Sequence, residues 1–244
     1  MSAAPTPSRR RRAVAAAFAA LWFALFAALG VWQLYRLQWK LDLIARVDAR
    51  VHAAAVDAPA RTQWPHVNRS DDEYRHVRAD GTFLPGRDTL VQATTERGMG
   101  YWLLTPLRRD DDTIVLVNRG FVPAQWRVHP GAAPPTGAVV VSGLLRISEP
   151  GGAFLRHNDP GADRWYSRDV AAIAAARGLA DVAPYFIDAD AKPDPGGEYP
   201  AGGLTVVSFY NHHLGYALTW FGLALLVAFG AWRAIRSGQV PDRG

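Results

Sequence analysis

The sequence contains no cysteine, which excludes disulfides, thiolate metal sites and cysteine nucleophiles. Such a chain is at home in an oxidising compartment. It lacks the G-x-S-x-G, G-x-x-x-x-G-K and H-E-x-x-H patterns, so no nucleophile elbow, phosphate loop or zinc helix announces a reaction. It shows no internal repeat. Away from the ends the two signs of charge nearly cancel. The net charge is +5, and Arg9, Arg10, Arg11, Arg12, Arg233, Arg236 and Arg243 against Asp242 account for +6 of it. The remainder is close to neutral and gives no electrostatic footprint for nucleic acid.

What the chain does have is apolar residues, concentrated in two places. Mean hydropathy is only −0.06 although 49% of residues are apolar. Positions 13 to 32, "AVAAAFAALWFALFAALGVW", and 216 to 232, "YALTWFGLALLVAFGAW", carry no charge. At about 1.5 Å per residue the first matches a hydrocarbon core of roughly 30 Å, and the second does so once its flanks are added. Basic tails, residues 1–12 and 233–244, stay on the cytoplasmic side. Both termini are therefore expected inside, with the segment between the spans on the opposite face. "FAALGVWQ" ends without an A-x-A-like site, which favours an uncleaved anchor over a signal peptide. The Ala/Arg-rich composition, with no presequence before the anchor, favours a bacterial plasma membrane with a periplasmic central domain.

After the first span, Leu34, Leu37, Leu41, Ile44, Val47 and Val51 recur at spacings of three and four, the stripe of an amphipathic helix. This predicts a stalk over residues 33–57. "APARTQWPHVNRSDDE", positions 58 to 73, reads as a loop. From Tyr74 onward, "YRHVRADGTFL", "TLVQATT", "YWLLTPL", "TIVLVNRGFV", "VVVSGLLRI", "YFIDAD" and "LTVVSFY" are short β-branched and aromatic runs between Gly, Pro and Asp turns. The expectation is an α+β membrane protein. Two transmembrane helices, residues 13–32 and 211–232, flank an exported antiparallel β-rich domain, residues 58–210, of barrel or sandwich type. One short helix, 167 to 178, is expected inside it, capped by Ser167 and ended by Gly178. A Pro/Gly linker, 190 to 203, leads back to the membrane.

Few residues in the β region suggest chemistry. Asp110, Asp111 and Asp112 read as a solvated hairpin turn. Asp188 and Asp190 fall on one side of a strand and could pair, with no acid, base or metal ligand nearby in sequence. His66, His76, His129 and His157 are scattered singly. In "VNRGFVP", positions 117 to 123, an apolar strand ends in Asn118-Arg119-Gly120. Gly120 can take a positive φ there, and Arg119 would project from the turn as a five-donor fork. A partner-binding point and a structural turn are both open readings of these three residues.

"GVWQLYRLQWKLDLI" (30 to 44), "VLVNRGFVP" (115 to 123) and "NHHLGYALTWFGLA" (211 to 224) together resemble three blocks of the Surfeit locus protein 1 family of cytochrome c oxidase assembly factors, in the same order. "YRHVRADGTF" and "RWYSRDVAAIAA" extend the likeness more thinly. The resemblance implies an assembly factor and not an enzyme. In bacterial members it implies binding of heme a and help in its delivery to subunit I of the oxidase, next to the heme a biosynthesis enzymes. The histidine of the third block, implicated in heme binding, corresponds to His213, and the family's variable position to His212. Gly215 stands where the family commonly has Gln or Ser.

Helical geometry bears on the same block. At about 100° per residue, His213, Tyr216, Ala217, Trp220 and Ala224 share one face and Gly215, Thr219 and Gly222 the opposite one. The Gly-Thr-Gly face is expected to receive the Ala-rich first span. The other face would ligate the heme iron through His213 and leave room beside Tyr216 and Trp220 for a flat macrocycle. His212 lies too far round the helix to clamp the same metal. Arg36 is a possible propionate partner or a snorkelling lipid contact. Two alternatives remain at this level: a heme-independent scaffold for oxidase assembly, and an exported membrane-anchored enzyme built on Asp188, Asp190 and a histidine.

Overall fold

The computed structural model describes residues 9–128, 133–153, 155–191, 199–205 and 211–237. The chain divides into two compact units, Met1–Arg46 with Ser208–Gly244, and Val47–Val207.

The first unit is helical. Helix α1, Arg9–Val51, runs without a break from the apolar span into the stalk. Nothing in "GVWQLYRLQWKLDLIARV" breaks it, since it holds no proline and its one glycine, Gly30, is a single residue in a stretch rich in Leu, Gln, Arg and Lys. The stalk stops at Val51, short of the expected 57. Residues 13–51 of α1 and His213–Arg236 of the second long helix are each long and apolar enough to cross a membrane. Their apolar side chains, Phe18, Leu21, Leu225 and Leu226 among them, are exposed. A surface of that kind needs lipid around it.

The second unit is a β barrel. Its strands are β1 (Val56–Asp57), β2 (His76–Phe83), β3 (Thr89–Thr95), β4 (Gly98–Arg109), β5 (Ile114–Pro123), β6 (Ala138–Ile147) and β7 (Val182–Ala189). They pair in the order β1-β2-β6-β7-β5-β4-β3, and a further β2–β4 pairing closes five of them into a ring. Closure gives each of those five strands a neighbour on both sides, covering edges that an open sheet would leave. Most pairs are antiparallel, as expected, but β1 runs parallel to β2 and β7 parallel to β5. The two-residue β1 is too short to show as a period in the sequence. Residues 206–210 of the expected strand "LTVVSFY" lie outside the described residues, and Leu204 and Thr205 are not in a strand.

The long apolar run of β5 has a structural cause. Val115 and Val117 point into the barrel with Val77, Leu107, Leu145, Tyr185 and Ile187. Leu116 points the other way, onto a second core with Leu104, Trp165, Ile173 and Phe186. A strand buried on both faces reads as continuous hydrophobicity, not alternation. The outer core is roofed by the expected short helix, which spans Val170–Arg177. Its cap is Asp169 and not Ser167: the Asp169 carboxylate accepts from Ala172 N at 3.1 Å, because a capping oxygen must sit directly before the first helical residue. Ser167 is buried, and its hydroxyl accepts from Gly152 N and Asn158 Nδ2. Gly178 ends the helix with φ 61°, as expected.

The stretch expected as a loop, 58–73, carries a 3₁₀ turn, Arg61–His66, and one helical turn, Arg69–Asp72, capped by Asn68. It is tied to the barrel by the Tyr185 hydroxyl, which donates to Pro59 O at 2.9 Å. Burial pushes the Tyr185 phenol up to about 12. The acidic run Asp110–Asp112 is the exposed β4–β5 turn, as expected.

Candidate functional site

The second long helix of the first unit, His213–Ser237, begins at the histidine. Asn211 precedes it, and its Oδ1 accepts from His213 N at 3.3 Å, holding the first turn. His213 Nδ1 lies 2.7 Å from Gln33 Oε1 on α1. Further along, Phe221 packs over Gly30, and Trp220 stacks on Phe26 with ring centroids 5.8 Å apart. Ascending residues of one helix thus meet descending residues of the other, so the two run antiparallel. Ala217 and Ala224 are 1% and 3% exposed along the same seam. A side chain on Gly30 would run into the Phe221 ring, with a Cβ only 2.6 Å from it.

The packing face is therefore the histidine face, opposite to the sequence expectation. Gly215 and Gly222 have nothing within 4 Å of where a Cβ would stand, and Thr219 donates back to Gly215 O within its own helix. In lipid, apolar burial does not choose between helix faces. Hydrogen bonds and close packing do, and here the Gln33–His213 bond and the Phe26–Trp220 stack lie on one side.

The structure brings some of the expected site residues together and separates others. His213 is half-buried, and its Nε2 has no hydrogen-bond partner among the described residues. Trp220 is on the same seam, but its ring is already engaged by Phe26. Tyr216 is 57% exposed, beside the seam and not in it. His212 is exposed on the neighbouring face. Arg36 lies three residues beyond Gln33, on the same side of α1, with its guanidinium 4.6 Å from the Trp39 ring. No group of three or more His, Asp or Glu that could hold a metal ion exists among the described residues. An iron held here would have His213 as its protein ligand. The donor is suitable: with Gln33 Oε1 as acceptor, the neutral ring carries its proton on Nδ1 and keeps its lone pair on Nε2, the form in which imidazole ligates heme iron.

In the barrel, "VNRGFVP" is not the end of a strand. Asn118 faces Leu104 of β4 and Asp188 of β7, so the strand is paired on both sides there. Arg119 and Gly120 form a β-bulge, with pairing resuming at Phe121 opposite Trp102. Gly120 does take a positive φ, 129°, and Ala201 O would lie 2.3 Å from a Cβ there. A glycine inside a strand run marks a bulge as readily as a turn, and the sequence expectation took the wrong one. Asn118 is buried, donating to Asp188 and accepting from Gly120 N. Arg119 is half-buried, donating to Ala133 O at 3.2 Å and lying over the Phe83 ring at 5.7 Å. Burial draws its guanidinium below the usual arginine range.

The structure also assembles an ion network that sequence reasoning missed. Asp188, 4% exposed, accepts from Arg146 at 2.8 Å, Arg168 at 3.2 Å, Asn118 at 2.7 Å and the Thr205 hydroxyl at 2.9 Å. Arg146 also donates to Glu73, and Arg168 to Glu149. Both guanidinia lie over Phe186. Burial disfavours the charge on Arg146, but Asp188 and Glu73 outweigh it and hold its pKa above normal. An open cleft of about 400 Å³, with Trp102 and Tyr74 on its wall, lies above them. A carboxylate inside the apolar run "YFIDAD" is the one sequence signal, because a buried charge requires partners. Asp190 does not join this network. It pairs with His76 Nε2 at 2.8 Å, while His76 Nδ1 bonds Ala53 O at 2.9 Å. The expected Asp188, Asp190 and histidine cluster is thus split in two. His129 lies outside the described residues.

The family model described as the SURF1 family matches residues 20–225. The SURF1-like protein of Monosiga brevicollis is 35% identical over 222 residues, covering 85% of this chain and 82% of that protein. Surfeit locus protein 1 of Rattus norvegicus is 33% identical over 233 residues, covering 85% and 73% respectively. The Homo sapiens protein of the same name is 34% identical over 222 residues, covering 82% and 71%.

Proposed function

We propose that this chain, which belongs to the SURF1 family, is a membrane-anchored assembly factor for cytochrome c oxidase that binds heme a through His213 and assists its delivery to oxidase subunit I. The observation that carries the reading is His213 itself. It is an imidazole at the first turn of a membrane-length helix, with Nδ1 bonded to Gln33 and Nε2 without a hydrogen-bond partner among the described residues. Heme a has a farnesyl tail that needs lipid and propionates that need cations or water. A ligand where an apolar helix begins satisfies both demands, and Arg36 is a cation on the same side of α1. Tyr216 and the exposed His212 stand beside the ligand at the open edge of the seam. A single protein ligand suits cargo that must be released again. On this reading the protein sits in a bacterial plasma membrane with both termini cytoplasmic and the barrel periplasmic, which the basic tails support. The barrel meets the oxidase or the heme a biosynthesis enzymes.

A second reading, a heme-independent scaffold, is favoured by one observation: Trp220 is already occupied by Phe26. On the scaffold reading Arg119, half-buried beside Phe83 while Asn118 and Gly120 are buried, is the residue of that block nearest the surface. The two readings separate in one experiment. The full chain and its His213→Ala variant are purified in detergent from cells that make heme a. The heme reading expects a Soret band and extractable heme a in the parent only. Heme in neither sample gives the scaffold, and equal heme in both moves the ligand elsewhere.

A further inference from the structure

We infer that Gln33 is a positioning residue for His213: its amide oxygen holds the Nδ1 proton and thereby keeps the lone pair on Nε2, the nitrogen that takes the iron. The inference rests on the proposed reading of His213 as a heme ligand.

Gln33 is the first polar side chain after the twenty-residue apolar run of α1, and it is only 9% exposed. An amide withdrawn from water in such surroundings costs free energy unless it is hydrogen-bonded. The 2.7 Å contact to His213 Nδ1 supplies that bond. Its geometry is set on both sides by packing. Three residues before Gln33, Gly30 admits the Phe221 ring, and Phe26 meets Trp220 one further turn away. On the other helix, Asn211 holds the backbone of His213. The bond is therefore delivered by two packed helices and not by a flexible surface side chain.

The chemistry of the acceptor matters. A neutral imidazole has two tautomers, and only one leaves Nε2 able to donate to a metal. Ligating histidines commonly bond their second ring nitrogen to a carboxylate or a carbonyl, which fixes the ring and raises its basicity. An amide oxygen fixes the tautomer without placing a second charge beside the apolar span. It also polarises the ring less than a carboxylate would, which keeps the iron–imidazole bond of a delivery factor weaker than that of a permanent site. Glutamine thus meets both requirements, orientation and release.

The test uses the full chain in detergent, with heme a as the probe, and the variants Gln33→Leu, Gln33→Glu and His213→Ala. In heme-free protein, nitrogen-15 NMR of the histidine rings reports which nitrogen of His213 carries the proton. It is expected on Nδ1 in the parent and on Nε2 in Gln33→Leu. Heme a affinity is expected to fall about 10- to 100-fold in Gln33→Leu. It is expected to be retained in Gln33→Glu, with a higher iron–imidazole stretching frequency in resonance Raman spectra. Retention in Gln33→Glu, with parental helicity in all variants by circular dichroism, separates loss of the bond from loss of the fold. If His213→Ala loses heme while Gln33→Leu keeps parental affinity, spectrum and Nδ1 protonation, the inference about Gln33 is overturned and the ligand reading stands. If His213→Ala binds heme a as the parent does, the ligand reading itself falls.

Discussion

Asn118 and Asp188 face each other across the parallel β5–β7 pair, and the Asn118 amide donates to the Asp188 carboxylate at 2.7 Å. The same carboxylate receives Arg146 and Arg168. One side chain therefore ties β5 to β6, β7 and the segment that follows β6. The Thr205 hydroxyl adds the stretch that leads out of the barrel.

Replacing Asp188 by alanine leaves two guanidinia, each little exposed, with only Glu73 and Glu149 to neutralise them. Removing one partner of a buried ion pair costs about 3–5 kcal/mol, and the remaining glutamates place the expected loss at the lower end of that range. Denaturant unfolding of the detergent-purified chain, followed by tryptophan fluorescence, measures it. A loss below about 1 kcal/mol, the size of a surface pair, would show that the network is not a strut.

Gly120 has φ 129°, and the Ala201 carbonyl stands where a Cβ would be. Gly120→Ala is expected to destabilise the chain by roughly 1–3 kcal/mol from backbone strain, and by more if Ala201 has to move. Val122→Ala, a core truncation two residues on, is the control for ordinary loss of packing. Comparable Gly120→Ala and parental midpoints in thermal unfolding would contradict the bulge geometry.

His76 supplies the pH dependence. Burial lowers its pKa, but hydrogen bonds to Asp190 and to the Ala53 carbonyl outweigh burial, and the net shift is upward. Both acceptors are satisfied together only by the protonated ring. A raised folded pKa means stabilisation that is fully present below the unfolded value of about 6.5 and lost as pH rises through the folded value. The parent should therefore melt at a higher temperature near pH 5.5 than near pH 8, by a margin that shrinks in His76→Asn. An equal pH dependence in both proteins would assign the effect to other groups.

Because the chain has no cysteine, the face on which the two long helices meet can be tested with introduced pairs. Phe26→Cys with Trp220→Cys replaces two rings whose centroids are 5.8 Å apart and should cross-link rapidly with a short thiol reagent. Phe26→Cys with Thr219→Cys should not, since Thr219 lies on the open face. Faster cross-linking of the Thr219 pair would restore the Gly-Thr-Gly face as the seam.

The sequence by itself determined the two long apolar helices, the β-rich middle, the positive φ at Gly120 and the helix ended by Gly178. Each of these is written in local composition: charge-free length, β-branched runs between turn residues, and glycine where other residues cannot go. The block "NHHLGYALTW" also marked His213 as the candidate ligand, through its likeness to the family pattern. Tertiary structure alone decided which face of that helix is covered, because a two-sided helix in lipid has no hydrophobic preference, and Gln33, 180 residues away, makes the choice. It alone decided that Arg119-Gly120, after the paired Asn118, is a bulge, since a turn and a bulge differ only in whether neighbouring strands continue the ladder. The partners of Asp188 were likewise invisible in one dimension, because Coulomb attraction depends on distance in space. Glu73, Asn118, Arg146, Glu149, Arg168 and Thr205 come together only when the barrel closes.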